Sequence, residues 1–184
     1  MYPFFRVARE IRRANSLPPL APGETHVTRT RCWPQDLDPA WELNNGRSLT
    51  LFDMSRMAVL RRCGISALMK RHGLGIAVAG SAVTYRKRVR LWDLIELHAT
   101  VVGIDERFIY VDHVLHANGV PAHGLVARMA LFDASGIQPP PKLLADRTEP
   151  GWRAPLPEPI AAWAAAEKLR PWPPVAADPA RAAA

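Results

Sequence analysis

Between Asp36 and Gly46 the chain reads Asp-Leu-Asp-Pro-Ala-Trp-Glu-Leu-Asn-Asn-Gly, eleven residues that hold three carboxylates, two adjacent amides, a proline and a glycine. An apolar helical pattern follows at once, from Arg47 to Cys63, and Gly64 stands where a helix ends in left-handed backbone. An acidic loop that runs into a buried helix N-terminus puts carboxylates beside free backbone N–H groups. That is a workable site for a carbonyl group and an attacking water. The plain alternative is that the acids only cap the helix.

Other residue types that carry chemistry are fewer. Asp53 and Arg56 are spaced i, i+3 on the same helix, so they can pair on a largely apolar side. Arg86, Lys87, Arg88 and Arg90 form a basic run in a strand pattern; alternation sends Arg86 and Arg88 to one face and Lys87 to the other. His113 and His116, also on a strand, point to opposite faces and make no zinc site. Cys32 and Cys63 are the only cysteines and lack metal-ligand spacing, which suits a reducing compartment.

The 184 residues carry 24 Lys and Arg against 17 Asp and Glu, a formal charge of +7 that favours anionic partners. No compact basic block with interleaved aromatics marks a nucleic-acid face, so nucleic acid is not expected. No apolar run reaches the roughly 20 residues of a membrane span, and no secretory signal pattern opens the chain. A soluble, cytoplasmic protein is expected.

The elements that must position the acidic loop follow in order. Residues 3–14 form an amphipathic helix with Phe4, Val7, Ala8 and Ile11 on one side and Arg6, Arg9, Arg12 and Arg13 on the other. Two readings are open: a weak peripheral membrane contact, or a helix packed on its own domain with a solvated basic face. Ser16–Glu24 is a proline-containing linker. His26–Trp33 alternates as a first strand stopped by Pro34. The central helix is apolar round most of its circumference, which argues that something wraps it. A shorter helix covers Ser66–His72. Strands follow at Gly75–Arg90, Asp93–Ile104, Arg107–Ala117 and Pro121–Asp133, with Asn118-Gly119 as a hairpin turn. Turns this short imply antiparallel neighbours. From Pro139 on, the tail holds eleven of the eighteen prolines. It has one helix at Pro159–Arg170, and its end from Arg170-Pro171-Trp172-Pro173-Pro174 is extended or disordered. The expected layout is residues 1–24 as helix and linker, 25–138 as the domain, and 139–184 as a Pro-rich extension.

These motifs in this order resemble the hot-dog-fold thioesterases. Asp36-Leu37-Asp38-Pro39-Ala40 resembles the Asp-x-Asp-x-x-Gly start of the 4-hydroxybenzoyl-CoA thioesterase group. Leu43-Asn44-Asn45-Gly46-Arg47 resembles the His-(Val/Met)-Asn-Asn-x-x-Tyr segment of the acyl-ACP and acyl-CoA branches, and Asp53-Met54-Ser55-Arg56 matches their acidic-x-x-Arg. The likeness is nearest to the thioesterase-superfamily-member-six group and runs from His26 to Asp133. It implies an α+β hot-dog fold, an antiparallel sheet wrapped around a long central helix, paired as a homodimer or a dimer of dimers.

The resemblance also implies roles. Asp38 is the general base or the nucleophile of an acyl-CoA thioesterase, and amides around Asn45, Gly46 and Arg47 are the oxyanion donors. Gly46 lets the carbonyl approach the backbone. Glu42 takes the place of a histidine as base, or is a surface residue. Asn44 or Asn45 orients the thioester, or caps the helix. Trp41 replaces a glycine and narrows the acyl entrance. Arg86 and Arg88 meet the phosphates of coenzyme A, with Arg47 on the same substrate. Asp53 and Arg56 form an ion pair near the subunit seam. Neither metal nor bound cofactor is implied; coenzyme A enters as part of the substrate. Ala40 and Glu42 stand where one branch has asparagine and histidine, and Ser48 where the family commonly has tyrosine. These departures keep open a second reading, a hot-dog acyl-thioester-binding protein without turnover.

Overall fold

A computed structural model describes residues 2–145, 147, 150–152 and 154–171. Two compact units are present, the first ending at Ala154 and the second beginning at Pro155. In the first, helix α1 (Phe4–Asn15) precedes strand β1 (Thr25–Arg31) and a single 3-10 turn (Pro34–Asp36). The long helix α2 (Asn45–Arg62) and the short α3 (Ile65–His72) come next. Strands β2 (Gly75–Tyr85), β3 (Leu94–Ile104), β4 (Ile109–Ala117) and β5 (Val120–Asp133) follow, then β6 (Gly136–Gln138) and the one-turn α4 (Pro140–Leu143). The second unit contains α5 (Glu158–Leu169). The expected tail beyond Pro171, from Trp172 on, lies outside the described residues.

The sheet is antiparallel with order β1-β3-β4-β5-β2, and β6 pairs with the end of β5. Alternation explains it. On β3, Ile95, Leu97, Ala99 and Val101 are buried while their neighbours are half-exposed, and Leu125, Ala127, Met129 and Leu131 repeat the pattern on β5. Asn118 and Gly119 take left-handed backbone (φ 50° and 79°), as a two-residue hairpin between right-twisted strands requires. Register shifts at Val78/Gly80 and Val101/Gly103 bend the strands. The sheet thus curls around α2, whose Leu51, Phe52, Met54, Ala58 and Val59 are buried. Because α1 packs on α2 as well, that helix is apolar round most of its surface. This is the expected hot-dog arrangement.

Three expectations are corrected. The basic run does not continue β2: the strand ends at Tyr85, where the Arg86 and Lys87 N–H groups both donate to the Ala122 carbonyl (2.8 and 3.2 Å). One acceptor shared by two successive donors breaks the alternation, so the opposite-face argument no longer separates Lys87 from its neighbours. The first strand stops at Arg31, before Cys32 turns its N–H to the Asp93 carbonyl. Finally, α1 buries Arg6, Val7, Glu10 and Ala14, while Phe4 and Phe5 stay exposed.

Buried ion pairs explain that rotation of α1. Both terminal nitrogens of Arg6 donate to Asp36 Oδ2 at 2.8 Å. The other Asp36 oxygen faces Arg47 Nε at 3.3 Å. One helical turn on, Glu10 Oε1 accepts from His26 Nε2 (2.7 Å) and Thr28 Oγ1 (2.8 Å), and Arg13 closes on the same carboxylate. His26 Nδ1 faces the Arg62 guanidinium at 3.0 Å, which fixes the ring proton on Nε2. A buried carboxylate without such partners is prohibitively costly, so the side of α1 that carries Arg6 and Glu10 must face inward.

Two outcomes follow. Burial disfavours the charged form of Glu10, but the hydrogen bonds from His26, Arg13 and Thr28 overcome it and hold the carboxyl at about 2. A depressed carboxylate stabilises the fold above its unfolded pKa, and the stabilisation disappears as pH falls from about 4.5 towards 2. The depression corresponds to roughly 3 kcal/mol at neutral pH. Urea melts from pH 7 to pH 3 will show this loss, and Glu10→Gln will flatten it. Asp36→Ala, which strands two guanidinium groups, will cost about 3 kcal/mol. Hydrogen exchange will localise the loosening to α1.

Candidate active site

The acidic loop closes on itself. The Asp36 carbonyl accepts the Asn44 N–H (2.9 Å), Leu37 bridges Leu43, and the Asp38 N–H donates to the Glu42 carbonyl (2.8 Å). Inside this hairpin Asp38 Oδ1 accepts from the N–H groups of Ala40 (2.8 Å) and Glu42 (3.4 Å). Its second oxygen takes no hydrogen bond from the described residues. The tight turn puts Trp41 in left-handed backbone (φ 59°), with the residue 73% exposed. Glycine adopts that conformation without the steric penalty a side chain brings.

Helix α2 begins immediately after. Asn44 is its cap: Oδ1 accepts the Arg47 N–H at 3.1 Å. The Asn45 and Gly46 N–H groups have no acceptor among the described residues, so two donors at the positive end of the helix are unspent. A Cβ on Gly46 would come within 3.2 Å of Asn44 Oδ1, so the missing side chain keeps the cap in place.

Asp38, Glu42 and Asn45 line one cleft of about 310 Å³, whose opposite wall is Tyr85, Arg86, Lys87, Arg88 and His123. The Tyr85 hydroxyl donates to the Asn45 carbonyl (3.3 Å), joining the strand end to the helix start. Arg88 Nε pairs with Glu42 Oε1 at 3.2 Å across the mouth. Sequence reasoning missed His123. It is buried, its Nδ1 accepts from Ser48 Oγ (3.0 Å), and its Nε2–H donates to the Lys87 carbonyl (3.1 Å). Burial pushes its pKa down, with the Lys87 carbonyl acting the other way. The signal was available: His123 shares the parity of Leu125, Ala127 and Met129, so it points towards α2. Ser48, where tyrosine is common, is thus the residue that engages it.

The remaining candidates lie elsewhere. Asn44 and Arg47 line a second cleft of about 340 Å³ with Tyr2, Gln35, Leu37 and Thr50. The Arg47 side chain meets Asp36 and the Gln35 carbonyl. Asp53 and Arg56 pair along α2. Burial lowers the Arg56 pKa to about 10, with Tyr2 opposing. His113 turns inward against Ser55 and Phe52, while His116 faces out beside His98. Among the described residues no group of three His, Cys, Asp or Glu is placed to hold a metal ion, and both cysteines are buried free thiols.

Similarity to known proteins agrees with the fold. Protein THEM6 of Xenopus laevis is 33% identical over 79 residues, 43% of this chain and 38% of that protein, so the chain spans well under half of that relative. A Thermus thermophilus thioesterase, described as complexed with coenzyme A and zinc, superposes with a TM-score of 0.59 at 23% identity. That match covers 71% of this chain and 96% of the other. The DHNA-CoA thioesterase of Staphylococcus aureus gives 0.59 at 14% identity over 79% and 92% of the two chains. The family model for the thioesterase-like superfamily matches residues 32–175, from Cys32 just ahead of the acidic loop to beyond the last strand, and the chain belongs to that superfamily.

Proposed function

We propose that the protein hydrolyses an acyl-CoA thioester to the free acid and coenzyme A in the cleft between Asp38 and the 86–88 segment. One observation carries the reading: a carboxylate with an uncommitted oxygen, Asn45 with its unspent helix-end N–H, and three cationic side chains line the same cleft, and the unspent N–H of Gly46 follows next in the chain. The thioester carbonyl lies over Asn45 and Gly46, whose N–H groups stabilise the oxygen as it gains charge. Asp38 acts in one of two ways. As a base it takes a proton from water while the water oxygen attacks the carbonyl carbon and the C–S bond breaks. As a nucleophile it forms a mixed anhydride, expels the thiolate, and water then cleaves the anhydride. Arg86, Lys87 and Arg88 hold the phosphates of coenzyme A, with Glu42 steadying Arg88.

A second reading, binding without turnover, draws support from that same Glu42–Arg88 pair, which occupies the carboxylate standing where one branch has its histidine base. A panel of acyl-CoAs with a thiol reagent decides between them. Asp38→Asn will lower kcat about a thousand-fold if Asp38 is catalytic. Tight acyl-CoA binding with no thiol release by the wild type would establish the second reading. Arg86→Ala and Arg88→Ala will raise KM about ten-fold by loss of phosphate contacts. That effect will vanish with acyl-pantetheine substrates, which lack the nucleotide phosphates.

In this reading the protein works as a homodimer built on β2, an eleven-residue edge strand without a charged or proline residue, with Val78 47% exposed. A long apolar edge like this invites pairing with another copy. Light scattering will give a dimer for the wild type and a monomer for Val78→Lys/Ala82→Lys. Two buried free thiols fit a reducing, cytoplasmic setting. Among the described residues no helix is long and apolar enough to cross a membrane.

A further inference from the structure

The inward turn of α1 leaves large aromatic rings outside the core. Phe4 is 72% exposed and Phe5 84%, and together with Arg9 and Trp33 they line an apolar groove of about 430 Å³. The patch extends beyond the helix: the Trp33 and Trp92 rings meet edge-on at 6.0 Å, and Trp92 is half exposed. Arg31 reaches its backbone, donating to the Trp92 carbonyl at 3.0 Å.

The charges around these rings are of one sign. Phe5, Arg9 and Arg12 stand at i, i+4 and i+7, so they share the outer face of α1. Arg9, Arg12 and Arg31 make no ion pair among the described residues. The carboxylates nearby are already engaged. Asp36 and Glu10 are buried in their own pairs, and Asp93 accepts from the Arg90 N–H and Asn118 Nδ2. Exposed Phe and Trp rings framed by guanidinium groups without a carboxylate partner among the described residues match the boundary between lipid headgroups and acyl chains.

We propose that this face, formed by Phe4, Phe5, Arg9, Arg12, Trp33 and Trp92, docks the protein on an anionic phospholipid surface. Helix α1 lies in the plane of the bilayer with the phenylalanines inserted and the arginines at the phosphates. The formal charge of +7 supplies the long-range attraction. Neither the cleft nor its chemistry enters the proposal, so it stands or falls apart from the thioesterase reading.

Sedimentation of the full chain with vesicles tests it. Phosphatidylcholine vesicles containing phosphatidylglycerol will carry the protein down, pure phosphatidylcholine far less, and added salt will weaken the binding. Phe4→Ser/Phe5→Ser will reduce partitioning about ten-fold. Arg12→Glu will reduce it about five-fold, while Arg107→Glu, in the turn between β3 and β4, will reduce it far less, by the loss of long-range attraction alone. Circular dichroism checks that these surface variants stay folded. The proposal is overturned if the wild type ignores the anionic vesicles, or if the phenylalanine variant binds like wild type. Equal losses from Arg12→Glu and Arg107→Glu would mean bulk charge alone and would also overturn it. So would light scattering in which Phe4→Ser/Phe5→Ser dissociates a dimer without vesicles, since a second copy would then cover the face.

Discussion

The carboxylate of Asp36, shared between a guanidinium from the first helix and another from the start of the second, is the constraint on which the site depends. It is nearly inaccessible to water, and Arg6, Arg47 and the Trp33 N–H surround it, the partners that a buried carboxylate requires. Two residues later the chain must deliver Asp38 to the cleft, and eight residues later it must place Asn44 as the helix cap. Both positions are measured from this anchor, because the Asp36 carbonyl also closes the loop on Asn44. The contrast between the two acids is one of surroundings: the first is locked into a buried pair, while the second keeps an oxygen facing a cleft.

The opposite wall of the cleft is fixed by uncharged links. His123 accepts from Ser48 and donates to the Lys87 carbonyl, and Tyr85 donates to the Asn45 carbonyl. These bonds tie β5, the segment after β2 and the first turn of α2 together without placing another ion in the interior. Burial favours the uncharged imidazole, so the local positive potential comes from the exposed 86–88 side chains and the helix end.

Much of the fold was legible because it rests on periodicity. The alternation on β3 and β5, the apolar girth of α2 and the Asn118-Gly119 turn each point to one local structure, and together they require a sheet around a helix. Asp38 and Asn45 were legible as part of a spaced motif. What escaped was decided by partners distant in sequence. Hydrophobic patterning turns Phe4 of α1 inward, yet Asp36, His26 and Thr28 pull Arg6 and Glu10 in instead. Nothing near Lys87 announces that the Ala122 carbonyl will accept twice and end the strand. His123 was readable as inward-facing, but its bond to Ser48 joins residues 75 positions apart.

The docking of the first helix carries a last consequence. Arg6, Glu10 and Arg13 recognise the rest of the molecule through charge and hydrogen bonds that do not require chain continuity. A cut within Ser16–Glu24 would therefore convert an intramolecular element into a bound peptide, held by complementary fragments rather than by covalent connection. Its retention would then follow concentration and ionic strength, as for any ligand, and the loop that it anchors would become titratable by an added helix.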